Sequence, residues 1–210
     1  MRFFKTRKKE VTPAGTVFIP AYFEHLTLGR YCDYYEAGDE IGRLAAATGL
    51  TRKKASEMNQ EQGDRVMKIF ENAVNGYQKE KEQFKLTFDI GSEFVGFEPE
   101  INNMSYGAHI DAVNNCEEKT IMKTLPKVMA ILYRPVTAKI GRRYQIEPYD
   151  SDKHLHPDRV EAFREMPMPY VKGALAFFLT IADELKINLE LSSMESLMKI
   201  VEEQTNQSEP

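Results

Sequence analysis

A mainly α-helical fold carrying one small β-hairpin insert (α+β) follows from three features of the sequence. Apolar residues recur at helical spacing over residues 66–77, 121–132 and 171–185. Between the first two runs the period changes to two: Phe84, Leu86, Phe88 and Ile90 alternate with other residues, Gly91-Ser92 offers a tight turn, and 94–97 returns. With 210 residues, 42% of them hydrophobic, the chain is long enough to fill one core or two small lobes. The expected organisation is a basic arm over 1–15, one compact domain over 16–203 with the hairpin at 84–98, and a polar tail over 204–210.

Taken in order, the arm bears Arg2, Lys5, Arg7, Lys8 and Lys9, and Val17-Phe18-Ile19-Pro20 reads as a short extended piece. A helix is expected from 28 to about 37, broken by Gly38-Asp39, and a second over 40–48, stopped by Gly49 in the position of a C-cap. Thr51 caps a further turn. The strongest helix of the first half carries Val66, Ile69, Phe70, Ala73, Val74 and Tyr77 on one face, and Gly76 weakens its last turn. Lys79-Glu80-Lys81-Glu82 reads as a solvated face.

After the hairpin, Ile121, Leu125, Val128, Met129 and Leu132 form one stripe; Pro126 starts or kinks this helix and Pro135 ends it. Residues 143–149 read as a short strand, with Pro148 favouring an edge. A charged helix over 157–164 precedes Pro167 and Pro169. Beyond them Val171, Ala174, Leu175, Phe178, Ala182 and Leu185, widened by Phe177 and Ile181, place the helical core around 170–186. A last helix, capped by Ser192 or Ser193, runs through Leu197, Ile200 and Val201.

One pattern occurs twice: Leu26-Thr27-Leu28-Gly29-Arg30-Tyr31-Cys32-Asp33 and Met104-Ser105-Tyr106-Gly107-Ala108-His109-Ile110-Asp111. Each copy offers a hydroxyl as N-cap and a Gly in the first turn, where another backbone can approach. The echo predicts two equivalent helix starts and implies no chemistry.

Lys+Arg 28 against Asp+Glu 32 leaves a net charge of −4, without the global positive field of a dedicated nucleic-acid binder. The basic arm can contact nucleic acid or an acidic neighbour; a solvated end is the preferred reading. No run is apolar enough for a signal core or a bilayer span, so the expected location is inside the cell. Cys32 and Cys116 stand far from any Cys-x-x-Cys spacing and are expected reduced and buried.

His109-x-Asp111 and His154-x-His156 are the two clusters of metal-ligand types, and neither has a third ligand nearby in sequence, so no metal or cofactor is expected. No Gly-x-Ser-x-Gly or glycine-rich phosphate loop appears, and Cys32 has no adjacent base, so no catalytic residue is nominated. Arg134, between a helix and Pro135, suits capping of that helix C-terminus, with carboxylate recognition as the other reading.

The chain resembles small proteins encoded by tailed bacteriophages, including crAss-like and other phages of Bacteroidetes. The matching pieces are Ile19-Pro20 with Glu24-x-Leu26-Thr27-Leu28-Gly29-x-Tyr31, and Ile90-Gly91 in the hairpin. They continue through Ser105-Tyr106-Gly107-x-x-Ile110-Asp111, Met129-Ala130-Ile131-Leu132-Tyr133-Arg134-Pro135 and Ala174-Leu175-Ala176-Phe177-Phe178. The usual Trp after the first Pro is replaced near Tyr22-Phe23, and the arm is longer than the pattern requires. The resemblance implies a non-enzymatic tail-assembly chaperone or minor virion protein. Such a protein contacts other phage structural or tail proteins, or itself, in the host cytoplasm during assembly or in the virion. The contact elements expected here are Arg2, Lys5, Arg7, Lys8 and Lys9 of the arm and Phe84, Phe88, Phe94 and Phe97 of the hairpin, with no membrane partner. A small DNA-binding accessory protein using the arm is the alternative. An enzyme is the third reading, whose signature is one pocket gathering His25, His109, His154 or His156 with a carboxylate.

Overall fold

The computed structural model describes residues 7–12, 15–76, 83–98, 104–116 and 121–178. The chain divides into two compact units, Met1–Ala174 and Leu175–Pro210; of the second, residues 175–178 are described and are helical. The fold is α+β, combining helices with two small antiparallel sheets among the described residues.

In the first unit, strand β1 (Arg7–Thr12) pairs antiparallel with β2 (Gly15–Pro20), so Arg7–Thr12 of the expected solvated arm is a strand. A 3-10 turn (Phe23–His25) leads into α1 (Leu28–Glu36), α2 (Glu40–Thr48), α3 (Arg52–Ser56) and α4 (Gln60–Asn75). The starts of α2 and α3 are set by side chains: Asp39 accepts from the Gly42 N–H, and Thr51 from the Lys54 N–H. Asn59 and Gln62 form a reciprocal capping box on α4, a start signal the apolar spacing did not reveal. The stripe itself is as expected, with Val66, Ile69, Phe70, Ala73 and Val74 buried; Tyr77 lies outside the described residues. So does the Lys79-Glu80-Lys81-Glu82 stretch.

The central hairpin is β3 (Thr87–Ile90) and β4 (Glu93–Phe97), turning at Gly91-Ser92. It belongs to a four-stranded sheet in the order β3-β4-β5-β6, where β5 (Tyr133–Ile140) and β6 (Arg143–Ile146) add a second hairpin. Its sheet and tertiary partners therefore come from its own chain. Helix α5 (Tyr106–Asn114) precedes α6 (Ile121–Leu132), which packs against α1, α5 and α8 and runs straight into β5. Pro126 sits inside α6, and Pro135 lies in β5 opposite Val95. Short helices α7 (Ser151–His154) and α8 (Pro157–Phe163) follow, and residues 168–178 are helical.

The two echo motifs both start helices, but by different means. Ser105 accepts from the Ala108 N–H at 3.3 Å, as expected of a cap. Thr27 makes no such bond. The first N–H groups of α1 are met instead by backbone, Leu28 donating to Met166 O at 2.9 Å and Gly29 to Arg164 O at 2.7 Å, while Met168 N–H returns to Leu26 O at 2.9 Å. The expectation of equivalent caps is corrected: a passing chain segment supplies the acceptors that Thr27 would have offered.

On the helix over 168–178, Val171, Ala174 and Phe178 are buried and Leu175 is half-buried. Phe177, expected in the same buried face, is 42% exposed, because its position falls off the i, i+3, i+7 stripe of the other three. Ile181, Ala182, Leu185 and the expected last helix lie outside the described residues.

Candidate functional site

Where α6 meets β5, four polar side chains are buried together: Glu98, Arg134, His154 and Arg159. Their origin is topological. The helix C-terminus leaves carbonyls without intrahelical partners, and the chain brings the ends of β4 and β6 and the α7–α8 turn to the same place.

Arg159, rather than Arg134, serves those carbonyls. Its guanidinium donates to Ala130 O and Tyr133 O, each at 2.8 Å, to His154 O at 3.3 Å, and to Glu93 Oε2 at 3.0 Å. It also stacks over Phe163, 5.0 Å from the ring centroid. The expectation that Arg134 caps this helix is thereby corrected. The strand direction of β5 turns Arg134 away to donate to Glu147 O at 2.9 Å and to pair with Glu98, an internal carboxylate. Burial lowers the pKa of both guanidinium groups from the ordinary arginine value.

His154 is fully buried, with its ring stacked on Tyr149 at 5.6 Å between centroids and 20° between planes. Nδ1 lies 3.0 Å from the Asp150 amide nitrogen and 2.8 Å from its carbonyl oxygen, engaging that backbone in either tautomer. Nε2 has no hydrogen-bond partner among the described residues and faces Glu147 Oε2 at 3.9 Å. Desolvation holds the imidazole pKa below its usual value, ahead of an opposing contribution from the Asp150 backbone. Tyr149 donates to Asp111 Oδ2 at 2.6 Å, and burial followed by that bond raises the phenol.

Beside this cluster, the β3–β4 turn and α7–α8 bound a cleft of about 320 Å³ whose lining includes Glu93, Lys153, His156, Asp158, Arg159 and Phe163. It does gather His156 with carboxylates. Its cations are nevertheless engaged, Lys153 with Glu147 and Arg159 with Glu93, and His156 lies 3.8 Å from the exposed Asp158. His154 and His156 do not converge: one is interior, the other largely exposed. Among the described residues no group of three or more His, Cys, Asp or Glu is placed to hold a metal ion, and no helix is long and apolar enough to cross a membrane. His25 is half-buried beside Tyr22, and His109 is half-buried on α5.

The nominated contact residues separate. Arg2 and Lys5 lie outside the described residues, Arg7 is within β1, and Lys8 and Lys9 are exposed on that strand. Phe97 is an interior residue at 1% exposure, edge-on to Phe84 at 4.9 Å and to Tyr133 at 5.1 Å. Phe88 is half-buried against Tyr133 and Tyr170. Phe84 and Phe94 reach the surface, Phe94 beneath Lys139, whose Nζ is 4.8 Å from the ring centroid. Cys32 is buried and its thiol is pushed up to about 12, chiefly by burial; Cys116 is half-buried and pushed up to about 11 by the same cause.

A surface that sequence reasoning missed is the outer part of the β5–β6 hairpin. Only Tyr133, Arg134 and Pro135 of β5 pair with β4, so the rest of the hairpin is a two-stranded ribbon, whose Lys139 and Tyr144 side chains still touch Phe94 and Gly96 of β4. At its tip Ile140 is 85% exposed, and Lys139, Arg142 and Arg143 are exposed beside it. The signal was present in Ala138-Lys139-Ile140-Gly141-Arg142-Arg143, whose Gly takes φ +60° in the turn. The chain matches no known family model, no curated protein and no solved structure.

Proposed function

We propose that this chain is a non-enzymatic protein of a tailed bacteriophage that acts through protein–protein contacts in tail or virion assembly, as an assembly chaperone or minor structural component. The sequence resemblance is the first support. Two of the segments that carry it are packing segments: Leu26 and Leu28 are fully buried, as are Met129 through Tyr133. The observation that carries the reading is the exposed apolar tip of the β5–β6 hairpin, with Ile140 at 85% exposure on the part of the hairpin that does not pair with β4. An aliphatic side chain held out on a narrow ribbon gains free energy when a partner covers it.

The test is mass spectrometry of purified virions and of assembly intermediates from infected cells. Co-purification with tail or virion proteins is expected; recovery of the chain throughout infection as a free monomer overturns the reading. A second reading, a DNA-binding accessory protein, is favoured by the exposure of Lys8 and Lys9 on β1. It requires duplex affinity that falls steeply with salt, which a titration over salt concentration measures.

A further inference from the structure

We propose that the β5–β6 ribbon is the docking element, and that it takes an extended segment of a partner protein bearing acidic residues around an aliphatic anchor. The proposal rests on the assembly reading above and names the surface and the partner chemistry. Three observations carry it.

First, β6 is an edge strand of the sheet. The pair Ile140↔Arg143 closes a two-residue turn, so the alternation along an antiparallel strand directs the backbone groups of Tyr144 and Ile146 outward, away from β5. An outward row of N–H and C=O groups is the template for strand addition.

Secondly, the ribbon is charged with one sign. Lys139, Arg142 and Arg143 are exposed, and none has a carboxylate oxygen within 4.0 Å among the described residues. The chain as a whole is net negative at −4. A local cationic tip on an acidic body attracts an acidic segment to this end of the sheet.

Thirdly, the face of the ribbon that carries Ile140 and Arg143 includes an apolar recess. Ala138, Ile140, Arg143, Tyr144 and Gln145 line a cleft of about 340 Å³. Val, Leu or Ile from an added strand fits such a recess. A nucleic acid fits it less well, because the one ring on the ribbon is already committed: Tyr144 donates to Phe97 O at 2.7 Å, and its ring lies so close over Gly96 that a Cβ there would be 2.6 Å from it. That ring is not available for base stacking.

The test uses the full chain and a fluorescein-labelled peptide of alternating character, Asp-Val-Glu-Leu-Asp-Val-Glu, followed by fluorescence anisotropy. Saturable binding is expected. It should weaken about ten-fold or more in R142E/R143E and in I140D, which change exposed residues and leave the core alone. It should also be lost when alternate peptide amides are N-methylated, since that blocks strand pairing and preserves charge. Absence of saturable binding overturns the proposal, as does equal affinity for the variants or for the N-methylated peptide. So does binding of a short duplex DNA through Arg142 and Arg143 without binding of the peptide. Entry of the unmodified chain into particles, combined with no peptide binding, overturns the ribbon proposal alone. Failure of the unmodified chain to enter any particle or intermediate overturns the assembly reading instead.

Discussion

Gly29 and Arg164 are in direct backbone contact: the Gly29 N–H donates to the Arg164 carbonyl at 2.7 Å, and a Cβ on Gly29 would stand 2.9 Å from the Cβ of Arg164. This approach ties the start of α1 to the segment after α8, far apart in sequence. Gly29→Ala should therefore force the two segments apart and destabilise the protein by about 1–3 kcal/mol, as overpacking does. Urea denaturation measures it; an unchanged midpoint would show that the contact opens without loss.

The two echo motifs give a paired prediction. Ser105→Ala removes an acceptor from the first turn of α5 and should lower stability by about 1 kcal/mol. Thr27→Ala should change it by less than about 0.5 kcal/mol, because Met166 and Arg164 carbonyls already serve α1. Equal losses at both positions would contradict the difference in capping.

The helices were legible because their stripes are local: Val66 to Val74 and Leu125 to Leu132 declare a period without reference to the rest of the chain. Strand β5 was not, since Pro135 read as a helix stop and its pairing with Val95 depends on a segment distant in sequence. The same holds at the buried cluster. Arg134 stood where sequence logic puts a C-cap, but only the return of α8 reveals that Arg159 takes that role. In β1, the three successive basic residues Arg7, Lys8 and Lys9 masked a strand whose partner is supplied by residues 15–20.

Arg159→Leu should be among the more damaging single changes. It removes the donors to Ala130 O and Tyr133 O and leaves Glu93 without its ion pair. The loss expected is about 1–3 kcal/mol for each buried carbonyl left without its donor, whereas Glu93, with a side chain 36% exposed, is re-solvated and adds little. Arg134→Leu tests the other arginine and should also destabilise by freeing Glu98. Thermal unfolding checks both, and a neutral Arg159→Leu would mean water serves those carbonyls equally well.

Phe177 and Phe178 are neighbours in opposite environments, at 42% and 1% exposure. Phe178→Ala should cost about 3–5 kcal/mol, and Phe177→Ala much less. The comparison is made by denaturant midpoint under one set of conditions. A larger loss at Phe177 would reverse the assignment of the buried face.

His154 makes stability depend on pH with a definite sign. Burial is the first cause of its lowered pKa; the Asp150 backbone and Glu147 favour the charged ring, and Arg159 and Arg134 oppose it. The unfolded chain takes up a proton on this residue as pH falls through about 6.5, whereas the folded chain resists until lower pH. Over that window the unfolded state binds more protons, so folding is fully favoured above about 6.5 and weakens on acidification, by at most about 1.4 kcal/mol per pH unit. Urea midpoints between about pH 7.5 and 5.5 should fall for the unmodified protein and fall less for His154→Gln. Titration of the ring protons by NMR supplies an independent reading in the folded protein alone. A ring that titrates above about 6.5, or a slope unaltered by the substitution, would remove His154 as the source.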